Sequence, residues 1–267
     1  MKMLMLRIVA AIVGIPLLLL SFFRGNLLLL IVVIGLIILA LGEYNRLIKR
    51  IGHANLLFPL LISGIIIPLL SQGENWIYIG YVLYLLALVA FLNFVISFPG
   101  YTIPDLALTI LGIVYIAAGF SHMLLVRSLE NGFWLITFVF LIIWSTDTGA
   151  YFAGILIGKN KLAPKLSPNK TWEGVIGGLA TSILVIFLFL RYVELPQGSL
   201  LLYITPLISI AAQLGDLFES GLKRFSGAKD SGTIIPGHGG ILDRFDSALW
   251  AVPTAYYLLL FLERVSL

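Results

Sequence analysis

Residues 56–70, LLFPLLISGIIIPLL, decide how this chain is threaded. They are wholly apolar apart from one serine, yet 15 residues is short for a helix crossing a hydrocarbon layer of ~30 Å. Longer apolar runs surround them, at about 4–22, 27–42, 77–98, 104–126, 133–157, 173–190, 200–222 and 246–263. If residues 56–70 also cross, there are nine spans, and the basic residues segregate. Thirteen then lie on one side (Lys2, Arg7, Arg46, Lys49, Arg50, Lys159, Lys161, Lys165, Lys170, Lys223, Arg224, Lys229 and Arg244) against Arg24, Arg127, Arg191 and Arg264 on the other. Without that span the split is 8 to 9. Short cytoplasmic loops carry the positive excess, so the sequence predicts an all-α, polytopic integral membrane protein of about nine transmembrane helices, N-terminus cytoplasmic and C-terminus outside.

Composition agrees. The chain is 60% hydrophobic and 11% charged, with mean hydropathy +1.06, far from the ~45–50% apolar and ~25% charged balance of soluble domains. Lys2 and Arg7 precede an apolar run as in a secretory leader, but Ser21 to Arg24 offer no small-residue cleavage site, and the first helix is expected to stay. The absence of cysteine excludes disulfides and thiolate metal sites. The net charge of +4 is concentrated on the cytoplasmic face, where anionic headgroups and phosphorylated substrates are found. Lipids and phosphorylated small molecules, not nucleic acid, are the expected partners.

By character the chain divides into residues 1–130, a scaffold of nearly pure Leu, Ile and Val spans, and residues 131–267, a catalytic region with cytoplasmic loops 158–172 and 223–245. Gly64, Pro68 and Pro104 are expected to kink or loosen the early spans. Gly112, Ala117, Ala118 and Gly119 form a small-residue surface suited to close helix packing, and a homodimer mated through such faces is expected.

Three polar clusters interrupt this background. Asp147 sits inside the sixth span, where a charged side chain costs roughly 2.5–3.5 kcal/mol on insertion scales; it either faces a polar cavity or pairs structurally with a neighbouring helix. The loop GKNKLAPKLSPNKTWEG, residues 158–174, carries four lysines with no acid before Glu173. It reads as a membrane anchor or, because Ser167, Asn169, Lys170 and Thr171 gather just before a helix start, as a phosphate site. In the eighth span Gln213, Asp216, Glu219 and Lys223 share one helical face, and beyond the loop Asp243 and Asp246 are three apart. Hard oxygen ligands of this kind suit Mg²⁺ completed by substrate phosphates. Pro236, Gly237, Gly239 and Gly240 bracket His238 with backbone that either covers phosphate or closes a tight bend.

Residues 220–246, SGLKRFSGAKDSGTIIPGHGGILDRFD, fit the pattern S-x-L-K-R-x4-K-D-x-G-x2-I-P-x-H-G-G-x2-D-R-x-D throughout, and Ser167 to Gly174 read S-P-x-K-T-x-E-G. Both resemble the phosphatidate cytidylyltransferases, or CDP-diacylglycerol synthases. The resemblance implies a Mg²⁺-dependent reaction of CTP with phosphatidic acid to give CDP-diacylglycerol and pyrophosphate, in phospholipid biosynthesis at the inner (cytoplasmic) membrane with the site facing the cytoplasm. Asp216 and Asp243 are then the expected principal metal ligands, with Asp246 and Glu219 as further ligands or orienters, and a second cation fits the clamp used for displacement at phosphorus. Lys223, Arg224, Lys229 and Arg244 are expected to hold triphosphate and leaving pyrophosphate. Asp147, Lys165, Ser167, Asn169, Lys170, Thr171, Glu173, Gly239 and Gly240 are expected at the substrates, as nucleotide or lipid-phosphate contacts, and His238 at phosphate, in loop shaping or in proton transfer.

Other classes fit less well. A CTP-dependent lipid kinase would use similar groups but move the γ-phosphate. The D-x2-D-G-x2-A-R type motif of CDP-alcohol phosphotransferases is absent. A channel lined by Asp147, Asp216 and Glu219 leaves the basic, glycine-rich loop unexplained.

Overall fold

A chain this apolar must satisfy its backbone polar groups within each segment, which in lipid means helix. The computed structural model describes residues 2–72, 77–195, 198–234 and 239–265, and these are almost entirely helical. The helices are α1 (Lys2–Arg24), α2 (Asn26–Arg50), α3 (Leu57–Leu70), α4 (Ile77–Ser97), α5 (Ile103–Gly112), α6 (Gly119–Ser128), α7 (Gly132–Ile157), α8 (Trp172–Tyr192), α9 (Gly198–Phe225), the one-turn α10 (Leu242–Phe245) and α11 (Ala248–Val265). A π-helical segment, Ile113–Ala118, joins α5 to α6, so that Ile103–Ser128 runs as one rod. Among the described residues seven helices are long and apolar enough to cross a membrane, and Gly14–Arg24 and Leu57–Leu70 are shorter apolar helices. At ~1.5 Å per residue, α3 is about 21 Å long.

The chain forms two compact units: residues up to Leu129 with Leu222–Phe245, and Glu130–Gly221 with the chain from Asp246 onward. The change at residue 129 coincides with the expected division at 130, but the signature loop clusters with the N-terminal helices.

In the first unit the Ile103–Ser128 rod lies at the centre, and its two ends report how the chain is threaded. Arg127 donates through Nε to the carbonyl of Phe22 at the α1–α2 turn (2.7 Å). At the opposite end Asp105 accepts from the backbone of Ala54 (2.9 Å) and contacts His53 (2.9 Å), just beyond α2. The chain therefore returns through α3 and α4 to the end at which α2 finished. Thr102 and Asp105 close a reciprocal capping box with Pro104 in the first turn, so Pro104 starts a helix and does not kink one. Gly64 packs against Ile37 and Leu41, and Gly112 against Tyr44 and Leu60. With Ala117, Ala118 and Gly119 also buried, the small-residue surface expected to mate two copies is occupied inside the unit.

The second unit is built on α7 and α8. A Cβ on Gly149 would collide with Thr181, one on Gly177 with Ala153, and one on Gly178 with the carbonyl of Thr146. Small residues let these two backbones touch, as van der Waals packing in lipid requires. Between them the loop expected at 158–172 is a short antiparallel hairpin, β1 (Lys161–Ala163) and β2 (Ser167–Thr171), pairing Lys161 with Thr171 and Ala163 with Ser167. The hairpin is the one sheet among the described residues.

Candidate functional site

In the second unit a cavity of about 570 Å³ opens between α7, the hairpin, the start of α8 and α9, lined by Asp147, Tyr151, Lys161, Asn169, Lys170, Thr171, Gln213 and Asp216 with smaller and apolar neighbours. Five of the expected site residues meet here: Asp147, Asn169, Lys170, Thr171 and Asp216. Two more lining groups, Lys161 and Gln213, lay in the expected clusters without a role. The end of β2, Asn169 to Thr171, runs along the cavity, and the Lys170 ammonium stands 2.7 Å from a carboxylate oxygen of Asp216, an ion pair by distance that is not angled as a hydrogen bond. The Thr171 hydroxyl oxygen accepts from Gly174 N–H (3.1 Å) and caps α8, so the helix start expected near Thr171 is present. Glu173 points away from the cavity and accepts from the Asn160 backbone (3.2 Å) and side chain (2.8 Å), fastening the hairpin to α8. Lys165 and Ser167 are not among the lining residues.

The floor of this site is acidic. Gly215 lets α9 approach the chain at Asp246 and Ser247 so closely that a Cβ would lie 2.5 Å from the carbonyl of Asp246. That approach puts Asp246 within the electrostatic reach of Asp216, Glu219 and Asp147. Glu219 is fully buried, and Asp246 accepts from Ser247 N–H (2.7 Å). A buried hydroxyl pair, Thr146 and Ser209 (2.7 Å), ties α7 to α9 just below. Gln213 carries a buried amide nitrogen without a hydrogen-bond partner beside the cavity. The carboxyl groups of Asp147, Asp216, Glu219 and Asp246 offer oxygen donors only, the set a hard divalent cation takes. Among the described residues no three such side chains are already gathered tightly enough to hold an ion.

In the first unit the signature loop is organised around Asp243. One of its oxygens accepts from Lys223 Nζ (2.7 Å); the other accepts from Ser231 N–H (3.0 Å), Ser231 O–H (2.9 Å) and Gly240 N–H (2.8 Å). Gly239 has φ +87°, a conformation that disfavours any side chain, and this turn brings Gly240 N–H onto the carboxylate. Lys229, Arg224 and Arg244 are exposed, with Arg224 reaching the carbonyl of Ala228 (3.4 Å). His238, with Ile235, Pro236 and Gly237, lies outside the described residues.

One residue went unnoticed in the sequence. Glu43, fully buried in α2, accepts hydrogen bonds from Ile241 N–H and Leu242 N–H and stands beside the Ser231 hydroxyl, whose single proton it shares with Asp243, each contact 3.0 Å. A Cβ on Gly232 or Gly240 would strike its carboxylate. The signal was present: a lone acid in an apolar run, three residues ahead of Arg46, is costly unless it has a partner.

The chain matches the model of the cytidylyltransferase family over residues 5–262. A phosphatidate cytidylyltransferase of Staphylococcus epidermidis is 40% identical over 261 residues, covering 95% of this chain and 96% of its own length. One from Staphylococcus aureus is 40% identical over 262 residues with the same coverage. With Lys170 paired to Asp216 in one unit and Lys223 to Asp243 in the other, the chain belongs to the cytidylyltransferase family.

Proposed function

We propose that this protein is a phosphatidate cytidylyltransferase: CTP and phosphatidic acid give CDP-diacylglycerol and pyrophosphate. The observation that carries the reading is the polar cavity holding the Lys170–Asp216 pair among helices long enough to cross a membrane. A lipid phosphate and a nucleotide triphosphate meet only where a charged site opens within apolar helices. In the reaction a phosphate oxygen of phosphatidic acid bonds to the α-phosphorus of CTP, the bond from that phosphorus to the bridging oxygen breaks, and pyrophosphate leaves. The attacking oxygen is already anionic, since the second ionisation of a phosphate monoester lies near ~6. The enzyme therefore has to position the reactants in line and offset charge, and needs no strong base.

Lys170, with Lys161 and Asn169, takes a substrate phosphate, the ammonium exchanging Asp216 for the ligand. Lys223, Arg224, Lys229 and Arg244 offset the charge of the triphosphate and of the departing pyrophosphate. Mg²⁺ fits the acidic floor, with Asp216, Glu219 and Asp246 as its holders; when bound it supplies charge neutralisation on the phosphates. At Asp243 a metal would compete with Lys223 for one oxygen. The protein sits in the inner membrane with its N-terminus and site on the cytoplasmic face, on the strength of the 13 to 4 division of basic residues.

The test uses purified protein in detergent with phosphatidic acid, Mg²⁺ and CTP labelled at the α-phosphate. Labelled liponucleotide is expected. Lipid labelled only from γ-labelled CTP identifies a kinase and ends this reading. Asp216→Asn should cost most of the turnover while leaving a folded protein.

A further inference from the structure

We infer that Glu43, on the second helix, is a positioning residue for the reaction, acting through Ser231 and Asp243 on the ammonium of Lys223. The inference rests on the reading that Lys223 works on the phosphates of the substrate. Its basis is a chain of contacts within the first unit. Glu43 collects Ile241 N–H, Leu242 N–H and the Ser231 hydroxyl, each at 3.0 Å. The same hydroxyl oxygen is 2.9 Å from Asp243, which also takes Ser231 N–H and Gly240 N–H on that oxygen. Asp243 is thereby fixed from one side, and its remaining oxygen meets Lys223 Nζ at 2.7 Å. Both members of that last pair are largely enclosed, with side chains 14% and 6% exposed. A lysine otherwise has a flexible four-carbon stem, so its location is set by what holds its end.

The packing fits a device for aiming a side chain better than simple filler. Gly232 and Gly240 leave just the room that the Glu43 carboxylate occupies, and any Cβ at either would overlap it. An apolar residue in α2 would fill the space but leave the Ile241 and Leu242 N–H groups without acceptors and the Ser231 hydroxyl held by Asp243 alone. A carboxylate accepts from all three donors at once, whereas glutamine has one acceptor oxygen and turns an NH₂ toward a donor.

The expected consequence is a split in the kinetics. Lys223 meets charge that grows on the leaving pyrophosphate, so its displacement weakens the transition state more than substrate binding. In the full-length protein in detergent, Glu43→Gln should lower kcat about tenfold or more while KM for CTP and for phosphatidic acid stays within about twofold. Lys223→Ala should also lower kcat, and Glu43→Gln combined with Lys223→Ala should be no slower than Lys223→Ala alone, because residues acting in series are not additive. A role confined to stability would lower the melting midpoint and leave kcat of the folded protein unchanged. If Glu43→Gln keeps kcat within twofold of the unaltered protein, or if the two losses multiply, the inference is overturned. Normal kcat in Lys223→Ala would instead overturn the role of Lys223 itself, and the positioning role with it. Should Glu43→Gln not fold, Ser231→Ala removes the bridging hydroxyl but spares the acceptors for Ile241 and Leu242; it should show the same kcat loss, and normal kcat there would equally overturn the inference.

Discussion

Gly215→Ala separates geometry from stability at the acidic floor. The added methyl would lie 2.5 Å from the carbonyl oxygen of Asp246, 3.1 Å from Trp250 Cδ1 and 3.2 Å from Ser247 Cα. Ordinary contact begins near 3.4 Å, so α9 and the residues ahead of α11 must part by 3.4 − 2.5 = 0.9 Å along the tightest contact. The obstacle is backbone, which cannot rotate aside. Overpacking of this kind costs ~1–3 kcal/mol, and alanine returns ~1 kcal/mol over glycine within a helix. The net stability change is then only about 0–2 kcal/mol, and the variant should fold. Catalysis is less forgiving, since a misplacement of ~1 Å costs about a hundredfold, and Asp216 is the next residue along the helix. Turnover of α-labelled CTP into lipid should therefore fall by about two orders of magnitude while the melting midpoint in detergent moves by a few degrees. Gly35→Ala in α2, where nothing lies within 4 Å of the added methyl, is the matched control and should keep full activity. If Gly215→Ala turns over within threefold of the parent, the tight approach of Asp216 and Asp246 is not what the chemistry uses.

Three further outcomes are expected. Lys170→Met should reduce liponucleotide synthesis by about a hundredfold, the scale for losing one charged group at a developing anion; a mild loss would remove Lys170 from the phosphate site. Asp105→Ala removes the reciprocal half of the α5 capping box, leaving Thr102 N–H and Ala54 N–H without their acceptor, each worth ~1–3 kcal/mol where buried; the melting midpoint should fall, with kcat at low temperature unchanged. Chelation with EDTA should stop product formation and added Mg²⁺ restore it, with Asp216→Asn needing at least about tenfold more Mg²⁺ for half-maximal rate; equal requirements would exclude Asp216 as a holder.

The sequence was most readable where one physical constraint dominates. Lipid demands long apolar helices, so the runs are visible in the sequence, and residues 56–70 form an apolar helix, Leu57–Leu70, shorter than the rest. Asp147 and Asp216 were found because carboxylates among apolar neighbours stand out. The hairpin Lys161–Thr171 was not, because strands of three and five residues carry too little periodicity and four lysines obscure what there is. Glu43 was missed for a related reason: with Arg46, Lys49 and Arg50 just beyond it, the acid merges with an ordinary interfacial end of a helix. Its partners lie 188 to 199 residues away, a separation that no local pattern encodes. The π-helical segment Ile113–Ala118 likewise depends on tertiary packing, and nothing in IVYIAA itself announces it.

The long reach of Glu43 also has a meaning in time. A ribosome adding about 5–20 residues per second needs roughly 10–40 s to make the 198 residues between Glu43 and Ile241. Throughout that interval the donors that the Glu43 carboxyl group meets in the finished protein have not yet been synthesised. The protein thus enters the membrane with an unmet requirement in its first part, and completion of the loop in its last part is what closes it. A chain truncated before residue 231 would leave that requirement permanently open, giving quality-control proteases a chemical mark by which an unfinished copy differs from a finished one.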